Sequence, residues 1–139
     1  MKIIRFEDIE AWQFARDLCR LVYNATKKEK FSKDFSLKDQ VCRASVSIMS
    51  NIAEGFDSGT NAEFARFLSY SQRSCSELQS ELYVALDQGY VTKKEFEEIY
   101  SLSDKVKAKI GAFIKYLKNQ RSTKNKERST KNQERRTKH

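Results

Sequence analysis

Not one proline occurs among the 139 residues of this chain. Proline breaks helices, because its ring removes an N–H donor and clashes with the preceding turn. A chain without it carries no forced break, which suits long uninterrupted helices. Glycine is scarce as well: Gly55, Gly59, Gly89 and Gly111 are the only four. That is too few for a turn-rich β-sandwich. The length makes one domain, and a domain of this size buries roughly two-thirds of its unfolded surface.

The apolar residues recur at helical spacing. A first helix is expected from about Asp8 to Lys28, with Phe14, Leu18, Leu21 and Ala25 on one stripe. Ala11, Ala15 and Val22 lie beside that stripe, and Trp12, Cys19 and Tyr23 beyond it. The apolar arc spans about 200°, roughly twice what a surface helix needs. A polar loop should fill residues 29–35. Ser36, with Asp39 three residues on, reads as the N-cap of a second helix carrying Leu37, Val41, Ala44, Ile48 and Ile52. Gly55 should end it, since glycine accepts the left-handed C′ conformation. Thr60 and Glu63 form a capping box for a third helix, Asn61 to about Gln88, with Phe64, Phe67, Leu68, Ser71, Cys75, Leu78, Leu82 and Ala85 facing inward. Gly89 should close it, and Thr92 with Glu95 should open the last helix, built on Phe96, Ile99, Val106, Ile110, Phe113 and Leu117. Gly111 inside that helix costs about 1 kcal/mol against alanine, and a close helix–helix approach would explain it. No segment alternates with period two. Short connections force antiparallel neighbours, so the expected fold is all-α, an up-down-up-down four-helix bundle.

The text changes after Gln120. RSTKNKE, RSTKNQE and RRTKH follow one another, a seven-residue repeat without an apolar residue. Such a segment cannot bury enough surface to offset its ordering entropy. The expected organisation is therefore a bundle over 1–120 and a disordered basic tail over 121–139. The net charge of +8 is concentrated there: the tail has eight Lys/Arg against two Glu, leaving 19 basic and 17 acidic residues in the body.

Catalytic chemistry is hard to assemble from this inventory. The single histidine is His139, inside the tail. A Ser–His–Asp triad, a Cys–His dyad, an HExxH helix and the paired ExxH motifs of di-iron bundles are therefore excluded from the body. There is no glycine-rich phosphate loop. Cys19, Cys42 and Cys75 are odd in number and lack CxxC spacing, which argues for buried thiols over disulfides or zinc. A carboxylate pair, Glu54 with Glu77 or Glu81, is conceivable, but solvated or salt-bridged helix carboxylates explain these residues better. No cofactor or metal is expected. Neither a signal peptide nor a membrane span is evident, so the expected setting is the reducing cytoplasm, away from the membrane.

With the helices laid out, Phe6–Gln13, Leu37–Ile48 running into Ser50-Asn51-Ile52-Ala53-Glu54-Gly55, Glu63–Leu68, Ser74–Leu82 and Leu86–Val91 form an ordered set of motifs. They resemble the 23S rRNA intervening-sequence proteins, the four-helix-bundle family to which the accessory variability proteins of diversity-generating retroelements look related. The resemblance covers about residues 3–118. Met49 departs from it, standing where the family usually has proline, which should straighten the last turns of the second helix. The resemblance implies a bundle assembling as a homopentameric ring, with no established enzyme activity. The retroelement relatives imply binding to nucleic acid and to a reverse transcriptase. The wide apolar arcs of the first two helices independently support self-association, through Trp12, Cys19, Tyr23 and Met49. The other reading is that Trp12 and Tyr23 only lie at the bundle edge.

Three groups are candidates for binding RNA or a partner. Arg43, Ser47, Ser50 and Glu54 share a polar stripe with Asn51 close by. They form a binding surface, or Arg43 and Glu54 hold helix ends or pair across subunits while Asn51 satisfies a backbone group near Gly55. Lys105, Lys107, Lys109, Lys115 and Lys118 could contact phosphates, and equally suit the negative end of the helix dipole. In the tail, Arg121, Lys124, Lys126 and Arg128 could neutralise phosphates. Without aromatic residues the tail cannot stack bases. The resulting expectation is a non-enzymatic, ring-forming RNA-binding or ribonucleoprotein accessory protein. The alternative is a protein–protein scaffold that docks a partner enzyme without touching nucleic acid.

Overall fold

The computed structural model describes residues 2–120 in full and, from there to Thr137, the course of the last helix backbone. The expectation of a disordered tail lies outside the fully described residues. Among the described residues every regular element is helical. A 3₁₀ turn, Phe6–Asp8, precedes α1 (Glu10–Thr26), α2 (Glu29–Lys33), α3 (Phe35–Asp57), α4 (Asn61–Asp87) and α5 (Lys93–Thr137). The four long helices pack in the cyclic order α1, α3, α4, α5, and α5 closes back on α1. This is the expected four-helix bundle. The small helix α2 crosses one end.

The core follows the helical periodicity. Leu37, Val41, Ala44, Ile48 and Ile52 of α3 are all buried, facing Phe64, Leu68, Cys75, Leu78, Leu82 and Ala85 of α4. In α1 the buried line is Ala11, Ala15, Leu18, Val22 and Ala25, with Phe14 and Leu21 only half-buried at its flank. Four serines stitch the helices together. Ser71 donates to the Ile48 carbonyl (2.7 Å), Ser47 and Ser74 share a hydrogen bond (2.9 Å), and Ser45 donates to the Cys42 carbonyl (2.9 Å) beside the Cys19 sulfur (3.5 Å).

Several boundaries differ from the sequence expectation. α1 starts two residues late, because Asp8 turns its carboxylate onto the Ile4 and Arg5 amides (3.1 and 3.2 Å) and holds the 3₁₀ turn. Residues 29–33 are not a loop. Phe31, the one large apolar residue among the lysines there, is buried in the core, and coiling the segment is what puts it there. Asp34, not Ser36, caps α3: its Oδ1 accepts the Leu37 N–H at 3.1 Å. Thr60 caps α4 by accepting the Glu63 N–H (3.1 Å), while the Glu63 carboxylate turns to Arg66 (2.7 Å). The Thr92–Glu95 box at the start of α5 is complete, with both arms formed at 2.9 and 3.1 Å. Glu95 also takes the Lys28 ammonium.

Gly55 does not end α3, which runs on to Asp57. The left-handed glycine of that turn is Gly59 (φ 93°), as Gly89 (φ 73°) is of the next. Gly55 serves packing instead. A Cβ there would sit 2.8 Å from Phe64 Cδ1, 2.9 Å from Phe67 Cβ and 3.2 Å from the Phe64 carbonyl oxygen. Gly111 is different: a Cβ would meet only the end of the Gln72 side chain, at 3.0 Å. The two glycines should therefore respond oppositely to alanine. Gly55→Ala must push two helices apart and should cost about 1–3 kcal/mol, as overpacking does. Gly111→Ala should gain about 0.5–1 kcal/mol, since Gln72 can swing aside and alanine favours the helix. Urea midpoints of the two variants check both signs.

Candidate functional site

The α3 stripe resolves into local structure. Arg43 Nε pairs with Asp39 Oδ2 at 2.9 Å within the same helix, and both side chains are mostly exposed. Such a pair contributes only tenths of a kcal/mol, ~0.3–0.5. Asn51 does not serve a backbone group near Gly55. Its Nδ2 donates one turn back, to the Ser47 carbonyl (2.9 Å) and Ser47 Oγ (3.0 Å), so it extends the Ser47–Ser74 link across α3 and α4. Ser50 and Glu54 are exposed.

The α5 lysines divide between two sides of the helix. Lys105 and Lys109 face α1, their ammonium groups 4.1 and 5.2 Å from the centre of the Phe14 ring. Lys109 also bonds Glu10 Oε1 at 2.8 Å, and that hydrogen bond holds the Glu10 carboxyl below its ordinary pKa. Lys107 faces α4 and donates to Ser76 Oγ (2.7 Å). Lys115 and Lys118 are exposed. Lys118 lines a shallow groove between α4 and α5 with Arg66, Ser69 and Ala65. From Lys105 to Gln120 the helix carries five lysines and no carboxylate. Arg121, Lys124, Lys126 and Arg128 fall where side chains are not described.

The four residues expected to support self-association share the outer side of α1 and α3, in different states. Trp12 packs edge-on against Phe6 (5.2 Å) with Arg16 above its ring at 6.0 Å. Cys19 and Met49 are half-buried, and Tyr23 is exposed. Tyr23, Phe35 and Cys42 line an open cleft of about 640 Å³ at the α2 end of this side. Phe35, 77 % exposed, is the most exposed large apolar side chain described. Its exposure was not anticipated, because it sits one residue before a reading of Ser36 as a cap.

Nor was Glu81 anticipated as a buried group. It is 8 % exposed, and its Oε1 has no hydrogen-bond partner. Burial first, and the Glu77 carboxylate second, push its pKa up to about 7. The pairing of Glu54 with Glu77 or Glu81 does not form: Gly55 packs on Phe64 and Phe67, which leaves Glu54 some ten residues, about 15 Å, from the level of Glu77. Glu77 and Glu81, one turn apart, repel each other instead.

Nucleophilic chemistry finds little support. Burial pushes Cys75 up to about 12 and Cys42 upward, so both remain thiols at neutral pH. No group of three side chains suited to a metal ion occurs among the described residues. No described helix is long and apolar enough to cross a membrane.

The model of a family described as 23S rRNA-intervening sequence protein matches residues 7–112. Among solved structures, the chain is similar to a crystal structure of a protein with unknown function from the S23 ribosomal protein family of Bacteroides thetaiotaomicron VPI-5482. The TM-score is 0.70 at 22% identity, over 76% of this chain and 95% of that one. At that identity the likeness speaks for the fold. No curated protein matches.

Proposed function

Because this chain belongs to the 23S rRNA-intervening sequence protein family, we propose that it is a non-enzymatic RNA-binding or ribonucleoprotein accessory protein that works as a ring and meets RNA through its basic surface. The observation that carries the reading is the charge toward the end of the chain: residues 105–120 carry five lysines and no carboxylate, and residues 121–139 carry eight more Lys/Arg against two Glu. A run of this kind suits a phosphate backbone and carries no sequence readout by itself. Lys115, Lys118 and the tail are its cationic surface, since Lys105 and Lys109 are engaged with Phe14 and Glu10. Several subunits in one ring would offer several such runs at once, which strengthens weak contacts. Self-association through the apolar α1/α3 side, to a homopentamer, belongs to the same reading. So does a cytoplasmic setting, which the three free thiols favour.

A second reading, a scaffold that docks a nucleic-acid enzyme and never touches RNA, is favoured by the open Tyr23–Phe35 cleft, where the exposed Phe35 ring offers an apolar anchor for a protein partner. Binding of RNA and DNA at several salt concentrations separates the two, comparing the full chain, a chain ending at Gln120, and a Lys115→Glu/Lys118→Glu variant. On the first reading the shortened chain still binds RNA, and the double variant flattens the log–log salt slope by about 0.7–0.9 per lost contact. Binding confined to the full chain, equal for RNA and DNA, would leave only a nonspecific tail and favour the scaffold.

A further inference from the structure

Aromatic rings and guanidinium groups alternate along the outermost line of α4. Arg66, Tyr70 and Arg73 follow one another at four- and three-residue steps, on the side away from the buried Phe64, Leu68 and Cys75, and Phe67 stands beside them. The contacts run continuously along this line. The Arg66 guanidinium lies 5.7 Å from the centre of the Phe67 ring. Phe67 meets Tyr70 edge-on with centroids 6.0 Å apart, and the Arg73 guanidinium lies 5.7 Å from the centre of the Tyr70 ring. Both arginines are exposed, and Tyr70 is 36% exposed. Arg66 also pairs with Glu63 at 2.7 Å, whereas Arg73 meets no carboxylate among the described residues. Glu77, one turn further on, ends the line with an acidic group.

The other end of the line is cationic. Arg66 borders the groove that Lys118 lines on α5, and α5 passes there directly before the eight Lys/Arg of residues 121–139. Other ring clusters of the bundle lack this combination. Phe14 lies under Lys105 and Lys109, but Asp8 and Glu10 line the same cleft. Tyr83, Phe96 and Tyr100 pack on one another, with no cation over their rings among the described residues.

We infer that Arg66, Phe67, Tyr70 and Arg73 form a stacking site for unpaired RNA bases, with Lys118 taking a phosphate beside it. This rests on the RNA reading and names the form of RNA and the residues that hold it. Aromatic faces and guanidinium planes receive bases that are splayed out of a duplex, since the faces of paired bases are already covered by their neighbours. From Arg66 to Arg73 the helix rises about 10 Å, the length of about three nucleotides at roughly 3.4 Å each. Stacking tolerates every base, so the site grips single strands without reading their sequence. It supplies what the tail, without aromatic residues, lacks.

Titrating the full chain into a fluorescent RNA strand of mixed sequence, alone and annealed to its complement, tests it. The single strand should bind more tightly than the duplex. Tyr70→Ala should weaken single-strand binding about tenfold, within the range for one lost base–ring stack, and Tyr70→Phe should bind as wild type does. A stack releases no counterions, so the log–log salt slope of Tyr70→Ala should stay that of wild type, unlike that of Lys118→Glu. Arg73→Lys, at an exposed position, keeps the charge and loses the plane. It should weaken binding about threefold at unchanged slope, which guards against a Tyr70→Ala variant that merely unfolds. Undiminished binding in Tyr70→Ala and Arg73→Lys, or equal affinity for strand and duplex, would overturn the stacking site and leave the RNA reading standing. Weaker binding with a flattened slope would assign the loss to phosphate contacts and overturn it as well. A wild type that binds no RNA at any salt concentration would remove both.

Discussion

Phe31→Ala should cost about 3–5 kcal/mol, the range for deleting a buried aromatic ring, and Phe35→Ala, four residues later, less than about 0.5. Nothing in the local composition separates the two. Phe31 is almost wholly buried, stacked on Tyr90 with centroids 5.2 Å apart, whereas Phe35 is exposed. Tyr90 in turn donates to Asp34 Oδ2 (2.9 Å), a hydrogen bond that raises the tyrosine pKa, while Asp34 Oδ1 caps α3. Phe31 thus ties α2, the α4–α5 turn and the start of α3 into one knot. Losing it removes a ring from the core and frees Tyr90 to drift from the cap. A domain of this kind is stable by roughly 5–15 kcal/mol, so the loss is a large share. Urea unfolding of both variants checks it, and equal midpoints would contradict the packing described.

Glu81→Gln should stabilise the subunit at pH 8 by about 3 kcal/mol, the value of a carboxyl held at about 7 instead of its ordinary 4.5. A raised folded-state pKa favours the native state below 4.5, where Glu81 is protonated both folded and unfolded. That advantage is lost as pH rises through 7 and the buried group must ionise. Glutamine keeps the shape and removes the titration. Glu95 acts oppositely: burial pushes its carboxyl up, but the Lys28 and Thr92 hydrogen bonds outweigh that and hold it low. Its contribution is present above 4.5 and lost on acidification. Wild type should therefore be most stable between the two windows and weaken toward pH 8. The measurement compares the chain with and without Glu81→Gln at one fixed protein concentration. An unchanged slope between pH 5 and 8 on adding Glu81→Gln would show that Glu81 does not carry it.

The bundle was legible because burial imposes a period. Val41, Ile48 and Ile52, or Leu68, Cys75 and Leu82, recur at steps that only a helix brings to one side. Helix ends were less legible where one residue type serves two purposes. Glycine at 55 and at 59 reads alike, yet one permits two helices to touch and the other permits a left-handed turn. Phe31 was hidden by its lysine-rich neighbours, whose polarity outweighed one apolar side chain in any local reading. The candidate sites fared differently for a reason of direction. Lys109 and Lys115 lie on one helix in one basic run, but which side meets α1 depends on how α5 is rotated in the bundle. Glu81 was missed because a carboxylate beside Ser74 and Glu77 looks solvated until the helices are packed.

The cyclic packing order has a kinetic side. α1 meets α3, α3 meets α4 and α4 meets α5, each the next long helix along the chain; only α5 against α1 joins distant segments. Contacts that are mostly local make for fast folding, and helical bundles reach the native state in microseconds to milliseconds. The chain can build itself as successive hairpins, with the α1–α5 seam shutting last. Phe14, under Lys105 and Lys109, and the Glu10–Lys109 pair lie along that seam. A seam that shuts last is also the one a neighbouring chain can enter before it closes, so crowded refolding should favour exchange of a terminal helix between copies.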